Sequence, residues 1–179
     1  MKRMILVDGN SLMYRAYYAT AASGTISANS KGMYTNAIFG FVRMMNHLLH
    51  SEYDNILVAF DAGKKTIRHE WMQEYKAGRP PMPDEFRMQI AYIKEYLNIM
   101  RIKQYEQPLY EADDIIGTMA KKAEEAGFHV DIYSSDKDLL QLISPNTTVY
   151  LTKKGMTDLE EFNPCLLYTS PSPRDTERS

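Results

Sequence analysis

The chain has 179 residues, 44% of them hydrophobic, with a formal net charge of -2 at pH 7 and one cysteine. This length suits one domain with its own core, and the composition excludes a globally disordered chain. The charge excludes a uniformly basic nucleic-acid binder, although a local basic strip remains compatible with it. The lone Cys165 excludes an internal disulfide. Since no apolar run is long enough for a signal peptide or a membrane span, we expect a cytoplasmic protein.

Short continuous apolar runs alternate with helical patterns along the chain. Residues 4–7 and 55–60 predict strands buried on both faces, and the apolar stripe over 35–50 predicts a helix between them. This alternation predicts an α/β fold with a mostly parallel central sheet flanked by helices. The further predicted elements are a helix over 84–97, a short strand within 99–105, a helix that starts near 111 and ends at Gly127, a strand at 130–133, a short helix after 136 and a strand at 148–151.

The last residues depart from this pattern. Residues 165–179 contain two prolines and several serines and threonines, and they show no apolar period. We therefore predict that the domain covers residues 1–164 and that 165–179 is an unrelated, disordered tail.

Aspartates follow three of the predicted strands. Asp8 follows the first strand in a predicted polar turn over 8–11, Asp61 follows the second, and Asp136 and Asp138 follow the strand at 130–133. A single aspartate at such a place is typical of a turn or a helix cap. The carboxyl ends of parallel strands, however, meet at one edge of a sheet. We therefore expect these side chains to lie near one another.

Three more acids, Glu111, Asp113 and Asp114, start the helix that ends at Gly127. The helix dipole explains one or two acids there, but three adjacent carboxylates repel one another unless a cation lies among them. At ~100° per residue a regular helix points them in different directions, so we expect convergence only at an irregular first turn. A site with oxygen donors alone suits Mg²⁺ or Mn²⁺ rather than zinc, and two such ions support phosphodiester hydrolysis.

A basic segment occupies residues 64–81. Alone, such a run is typical of an exposed loop. Beside an acidic metal edge it predicts a nucleic-acid clamp, because its cations neutralise phosphates and Trp71 and Tyr75 offer faces for unpaired bases. Lys76 or Arg79 could also stabilise charge in the transition state.

Several short motifs together resemble one family. They are Leu-Val-Asp-Gly-Asn-Ser-Leu at 6–12, Tyr14-Arg15, Phe60-Asp61, Arg68-His69-Glu70, Tyr-Lys-Ala-Gly-Arg at 75–79, Tyr-Glu-Ala-Asp-Asp at 110–114 and Ser-Asp-Lys-Asp-Leu at 135–139. With these motifs the chain from Lys2 to Pro164 resembles the N-terminal 5′-to-3′ exonuclease domain of bacterial DNA polymerase I, within the flap-endonuclease superfamily.

The resemblance implies a PIN-like 5′-nuclease fold with two Mg²⁺ ions, for which Mn²⁺ is a substitute. It implies a monomer that cleaves DNA with a 5′ flap or nick, and RNA primers, during replication and repair, with a polymerase domain normally on the same chain. The site residues that it implies are Asp8, Asp61, Glu111, Asp113 and Asp114 at a first metal, Asp136 and Asp138 at a second, Lys76 and Arg79 as catalytic residues in a helical arch, and Tyr14, Arg15, Arg68, Tyr75, Lys76 and Arg79 as nucleic-acid-binding residues.

The sequence departs from this family after Pro164. A Gly-Asp-x-x-Asp-Asn-type segment with two further aspartates and the helix-hairpin portion should follow, and residues 165–179 do not match them. The alternative prediction is therefore a truncated, catalytically impaired nucleic-acid-binding fragment of that domain. Two other classes also place aspartates at strand ends, namely phosphoacceptor or phosphatase domains and small PIN-type ribonucleases.

Overall fold

A six-stranded sheet forms the centre of the computed structural model, which describes residues 1–22, 28–66, 81–153 and 158–169. The spatial order of its strands is β3-β2-β1-β4-β5-β6. Neighbouring strands are parallel, except that β6 runs antiparallel to β5. This confirms the predicted mostly parallel sheet. The strands are β1 Lys2–Asp8, β2 Asn55–Thr66, β3 Lys103–Leu109, β4 Phe128–Ser134, β5 Thr147–Thr152 and β6 Leu159–Phe162.

Helices cover both faces of the sheet and create two separate cores. In β1, Ile5 and Val7 face one core while Leu6 faces the other, and all three side chains are fully buried. This explains the continuous apolar run, because a strand covered on both faces needs apolar residues at every position. The first core takes α1 Gly9–Ala22, α2 Asn36–Leu49 and α3 Asp84–Ile99, and the second takes α4 Ala112–Glu125 and the 3₁₀ helix Lys137–Leu142.

The predicted polar turn over 8–11 is wrong, because α1 begins at Gly9 directly after β1. The backbone of Gly9 lies against the buried Phe60, since a Cβ atom built on Gly9 would come within 2.4 Å of the Phe60 ring. Glycine allows this close approach. It lets the helix start directly after the last residue of the strand, Asp8.

Two strand boundaries also differ from prediction. The strand predicted within 99–105 is β3, which begins only at Lys103, because Ile99 ends α3 and is exposed. Asp61 does not follow β2 but lies within it, paired with Gln107, and the register shifts between Asp61 and Thr66.

The described end of the chain contains two elements that the sequence does not predict. Strand β6 has four residues, of which two are glutamates, so its apolar pattern is weak. A short helix, α5 Pro164–Thr169, begins where the tail is predicted to start. Its first turn is capped, because Leu166 donates its N–H to Asn163 Oδ1 at 3.0 Å. Pro164 also suits a helix start, where a backbone N–H has no helical partner.

Helix α4 ends as predicted, with Gly127 at φ 81 just after the C-cap residue Ala126. Glycine adopts this left-handed conformation without strain. Within the described ranges, no helix has the length and apolar character that a membrane crossing requires.

Candidate functional site

Asp8 is the buried centre of the predicted acidic edge, with 4% of its surface exposed. Its Oδ1 accepts the N–H of Ser11 at 2.9 Å, so the carboxylate caps the start of α1. Its Oδ2 accepts the hydroxyl of Ser134, the last residue of β4, at 2.8 Å. Both oxygens therefore have a fixed direction, set by the neighbouring strand and by the following helix.

Asp61 joins β2 to the acidic start of α4. Its Oδ1 accepts the N–H of Ala112, the first residue of that helix, at 2.7 Å. Its own N–H donates to Asn10 Oδ1 at 3.2 Å. Asp61 thus fixes the start of α4 against β2, and Asn10 fixes α1 against the same strand, β2.

Glu111 and Asp114 cap α4 reciprocally. Glu111 lies just before the helix in an extended conformation, and its carboxylate accepts the N–H of Asp114. In return Asp114 Oδ2 accepts the N–H of Glu111 at 3.0 Å. This capping box explains why Glu111 is buried at 5% exposure. Since Glu111 lies outside the helix, the angular spacing of a regular helix does not limit where its carboxylate points. The helix itself is regular from Ala112, so the predicted convergence of the three acids stays a prediction.

The structure brings Asp61 and Asp113 within electrostatic reach of Asp8. Burial, together with the negative charges of Asp113 and Asp61, raises the pKa of the Asp8 carboxyl to about 7, against the lowering effect of its hydrogen bonds from Ser11 and Ser134. The negative charges of two acids therefore act on a third acid that is buried. A positive charge among them would remove this repulsion.

The donor chemistry at this edge fits a hard divalent cation. The carboxylates of Asp8, Asp61 and Asp113 offer oxygen atoms only, which Mg²⁺ and Mn²⁺ prefer. In the part of the chain that the structure describes, no three His, Cys, Asp or Glu side chains are close enough together to hold a metal ion. The carboxylates of Asp8 and Asp61 instead accept protein N–H and O–H groups. The metal ligands therefore stay a prediction.

Asp136 and Asp138, predicted as ligands of a second ion, lie exposed at the end of β4. Asp136 Oδ1 accepts the N–H of Asp138 at 2.9 Å and so caps the 3₁₀ helix. This contact is the ordinary role of an aspartate at a helix start.

Serine hydroxyls connect this end of β4 to Asp8, which the sequence does not predict. Ser11 Oγ accepts the N–H of Ser135 at 2.7 Å and contacts the Ser135 hydroxyl. Ser134 Oγ, besides donating to Asp8, accepts the N–H of Asp136 at 3.0 Å. Adjacent serines before an aspartate are too common to mark such a network in one sequence. The hydroxyls nevertheless orient Asp8 and the Asp136 backbone together.

The predicted nucleic-acid-binding residues are only partly described. Tyr14 is half-buried on α1 with its ring packed edge-on against Phe86, at 4.9 Å between centroids. Arg15 donates from Nη2 to the carbonyl of Lys153. Arg68, Tyr75, Lys76 and Arg79 lie outside the described residues.

A family model for the 5′-3′ exonuclease, N-terminal resolvase-like domain matches residues 3–165. The chain is 50% identical over 163 residues to the DNA polymerase I of Geobacillus stearothermophilus, and this match covers 90% of the chain and 18% of the relative. It is 49% identical over 164 residues to DNA polymerase I of Bacillus subtilis (strain 168), covering 91% of the chain and 18% of the relative. The chain thus spans less than a fifth of the length of these relatives.

Solved structures share the fold. A T5 5′-exonuclease with bound zinc ions superposes with a TM-score of 0.63 at 19% identity, covering 94% of this chain and 60% of that one. Flap endonuclease-1 from Methanococcus jannaschii gives a TM-score of 0.56 at 22% identity, covering 97% of this chain and 61% of that one. At these identities the likeness concerns the fold alone, and it confirms the predicted 5′-nuclease architecture.

Proposed function

Because this chain belongs to the 5′-3′ exonuclease N-terminal resolvase-like family, we propose that it is the catalytic portion of a metal-dependent nuclease. Its substrate in this proposal is DNA with a 5′ flap or nick, or an RNA primer, handled during replication and repair beside a polymerase domain in the bacterial cytoplasm. The observation that supports the proposal is that Asp61 and Asp113 lie close enough to the buried Asp8, at the carboxyl end of β1 in a mostly parallel sheet, to act on its charge.

The proposed cofactor is Mg²⁺, with Mn²⁺ as a substitute and two ions as the full complement. Asp8, Asp61, Glu111, Asp113 and Asp114 would hold the first ion, and Asp136 and Asp138 would contribute to the second. Ions bound there would supply the positive charge that activates water and stabilises the departing oxygen in phosphodiester hydrolysis.

The chain's own residues contribute orientation. Ser134 and the Ser11 N–H hold the two oxygens of Asp8, and the Ala112 N–H holds one oxygen of Asp61. Since these donors belong to strand ends and helix starts, the acids need little rearrangement when substrate arrives, which favours catalysis.

Phosphate recognition is proposed for residues at the edge of the site and in the basic segment. Tyr14 offers an aromatic face and Arg15 a cation on α1, beside the first residues of the site. Arg68, Tyr75, Lys76 and Arg79 would contact the 5′ single strand, and Lys76 and Arg79 would also stabilise transition-state charge.

Cleavage of a 5′-flap DNA in Mg²⁺ tests the proposal. We expect the wild-type chain to cleave it and Asp113→Asn to lose at least about 100-fold in rate, since the loss of one acid that would hold the first ion removes charge from the reacting centre. Glu125→Gln, which alters an exposed acid at the other end of α4, is the matched control and should cleave normally. DNA binding without cleavage by the wild type, even in Mn²⁺, would contradict the nuclease assignment.

A further inference from the structure

Gln89 of α3 is a fully buried amide that makes all the hydrogen bonds available to it. Its Oε1 accepts the N–H groups of Ala37 and Ile38, in the first turn of α2, at 2.8 and 3.2 Å. Its Nε2 donates to Asn36 Oδ1 at 3.0 Å and to the Glu85 carbonyl at 2.9 Å. One side chain therefore caps α2 from another helix and fixes the start of α3 beside it.

Asn36 carries the same connection on to α1. Its Nδ2 donates to Thr20 Oγ1 at 3.0 Å and to the Tyr17 carbonyl at 3.4 Å, both in the C-terminal half of α1. Asn36 is itself 1% exposed. A buried polar network with every member satisfied admits one arrangement of its helices, because sliding any of them would leave buried groups unpaired.

The first turn of α3, so fixed, supports the aromatic residues of α1. Phe86 lies between two of them, with its ring stacked on Tyr17 at 4.8 Å and met edge-on by Tyr14 at 4.9 Å. Tyr17 also donates its hydroxyl to Glu85 Oε1 at 3.4 Å. The position of the Tyr14 ring therefore depends on where α3 places Phe86.

We propose that Gln89 is a positioning residue for the nucleic-acid-binding face of α1, acting through Phe86 on Tyr14. This inference rests on the proposed function, because Tyr14 matters only if α1 contacts DNA. An apolar residue of the same size at position 89 would fill the core equally well, so the amide serves to fix the register of three helices rather than to add burial.

Gln89→Met tests this, because it keeps the volume and removes the four hydrogen bonds. Ile93→Ala is the matched control, since Ile93 is fully buried one turn further along α3 in the same core and makes no part of the network. The affinity for a DNA duplex with a 5′ single strand is measured by fluorescence anisotropy, with Ca²⁺ replacing Mg²⁺ to prevent hydrolysis. Both variants are compared at a temperature at which circular dichroism shows them folded.

We expect Gln89→Met to weaken this affinity about tenfold and Ile93→Ala to change it less than about twofold. A second readout needs no DNA, namely the nuclear Overhauser effect between the Tyr14 and Phe86 rings, which Gln89→Met should abolish and Ile93→Ala should retain. If Gln89→Met does not fold, Thr20→Val cuts the outer bond of the network and should shift both readouts in the same direction by a smaller amount.

Two results would overturn the inference. One is a DNA affinity that falls no more in Gln89→Met than in Ile93→Ala. The other is an unchanged contact between the Tyr14 and Phe86 rings in Gln89→Met. A wild-type chain that binds no DNA would instead overturn the proposed function, and the contact between the two rings would still decide whether Gln89 positions Tyr14.

Discussion

The contact between Gly9 and Phe60 predicts a large cost for one methyl group. In Gly9→Ala the new Cβ would lie 2.4 Å from Phe60 Cε1, about 1 Å inside an ordinary carbon contact. The Phe60 ring is buried at 2% exposure, so it cannot swing into solvent. Overpacking of this kind costs about 1 to 3 kcal/mol, and the better helix propensity of alanine returns less than about 1 kcal/mol.

We therefore expect Gly9→Ala to lower the free energy of unfolding by about 2 kcal/mol, or the melting temperature by roughly 4 to 8 °C. Urea denaturation followed by circular dichroism measures it. Gly117→Ala is the control inside α4, where the nearest atom to the new Cβ is Leu142 Cδ2 at 3.4 Å. It should be neutral or stabilising by up to about 1 kcal/mol. A Gly9→Ala variant as stable as the wild type would refute the close packing of α1 on β2.

Three further predictions concern single side chains. Ser134→Ala removes the hydroxyl that orients Asp8 and should lower metal affinity or cleavage rate about 10- to 100-fold in single-turnover assays while the fold persists. Because burial raises the pKa of Asp8 to about 7, the metal-free wild type loses stability as the pH rises from about 4 to 7, where the carboxyl ionises more readily in the unfolded chain. Asp8→Asn has no such carboxyl, so its stability relative to the wild type should increase over this range in urea titrations. Burial likewise raises the pKa of Tyr150 to about 12, so this tyrosine's stability contribution is lost as pH rises from about 10 to 12, and Tyr150→Phe should unfold less readily at pH 11 than wild type.

The strands on which the site is built follow from local pattern. The run at 4–7 is apolar at every position because β1 has a core on each face, and the same holds for the start of β2. Strand β3 lies at the sheet edge and its residues are mostly exposed, so its polar sequence carries no such signal and does not mark where the strand begins and ends. Burial on both faces, rather than strand propensity, is therefore what makes β1 and β2 recognisable in the sequence.

The proximity of Asp61 to Asp8 could be predicted, but the directions of their carboxylates could not. The carboxyl ends of parallel strands imply that Asp8 and Asp61 share an edge. The partners that orient them, Ser134 and the Ala112 N–H, come from elements far along the chain and depend on the order of strands. Gln89 is a polar residue on the buried face of α3, between Phe86 and Ile93, and only the neighbouring helices reveal its role.

Calorimetric titration of the metal-free chain with Mg²⁺, repeated with Mn²⁺, tests the central claim that Asp8, Asp61 and Asp113 share a cation. We expect the wild type to bind and Asp61→Asn to bind at least about tenfold more weakly, because the amide removes one negative oxygen donor. Asp84→Asn, which changes an aspartate whose side chain is 87% exposed at the start of α3, should bind like the wild type. Equal affinity in all three proteins, or no binding by the wild type, would contradict a metal site at this edge of the sheet.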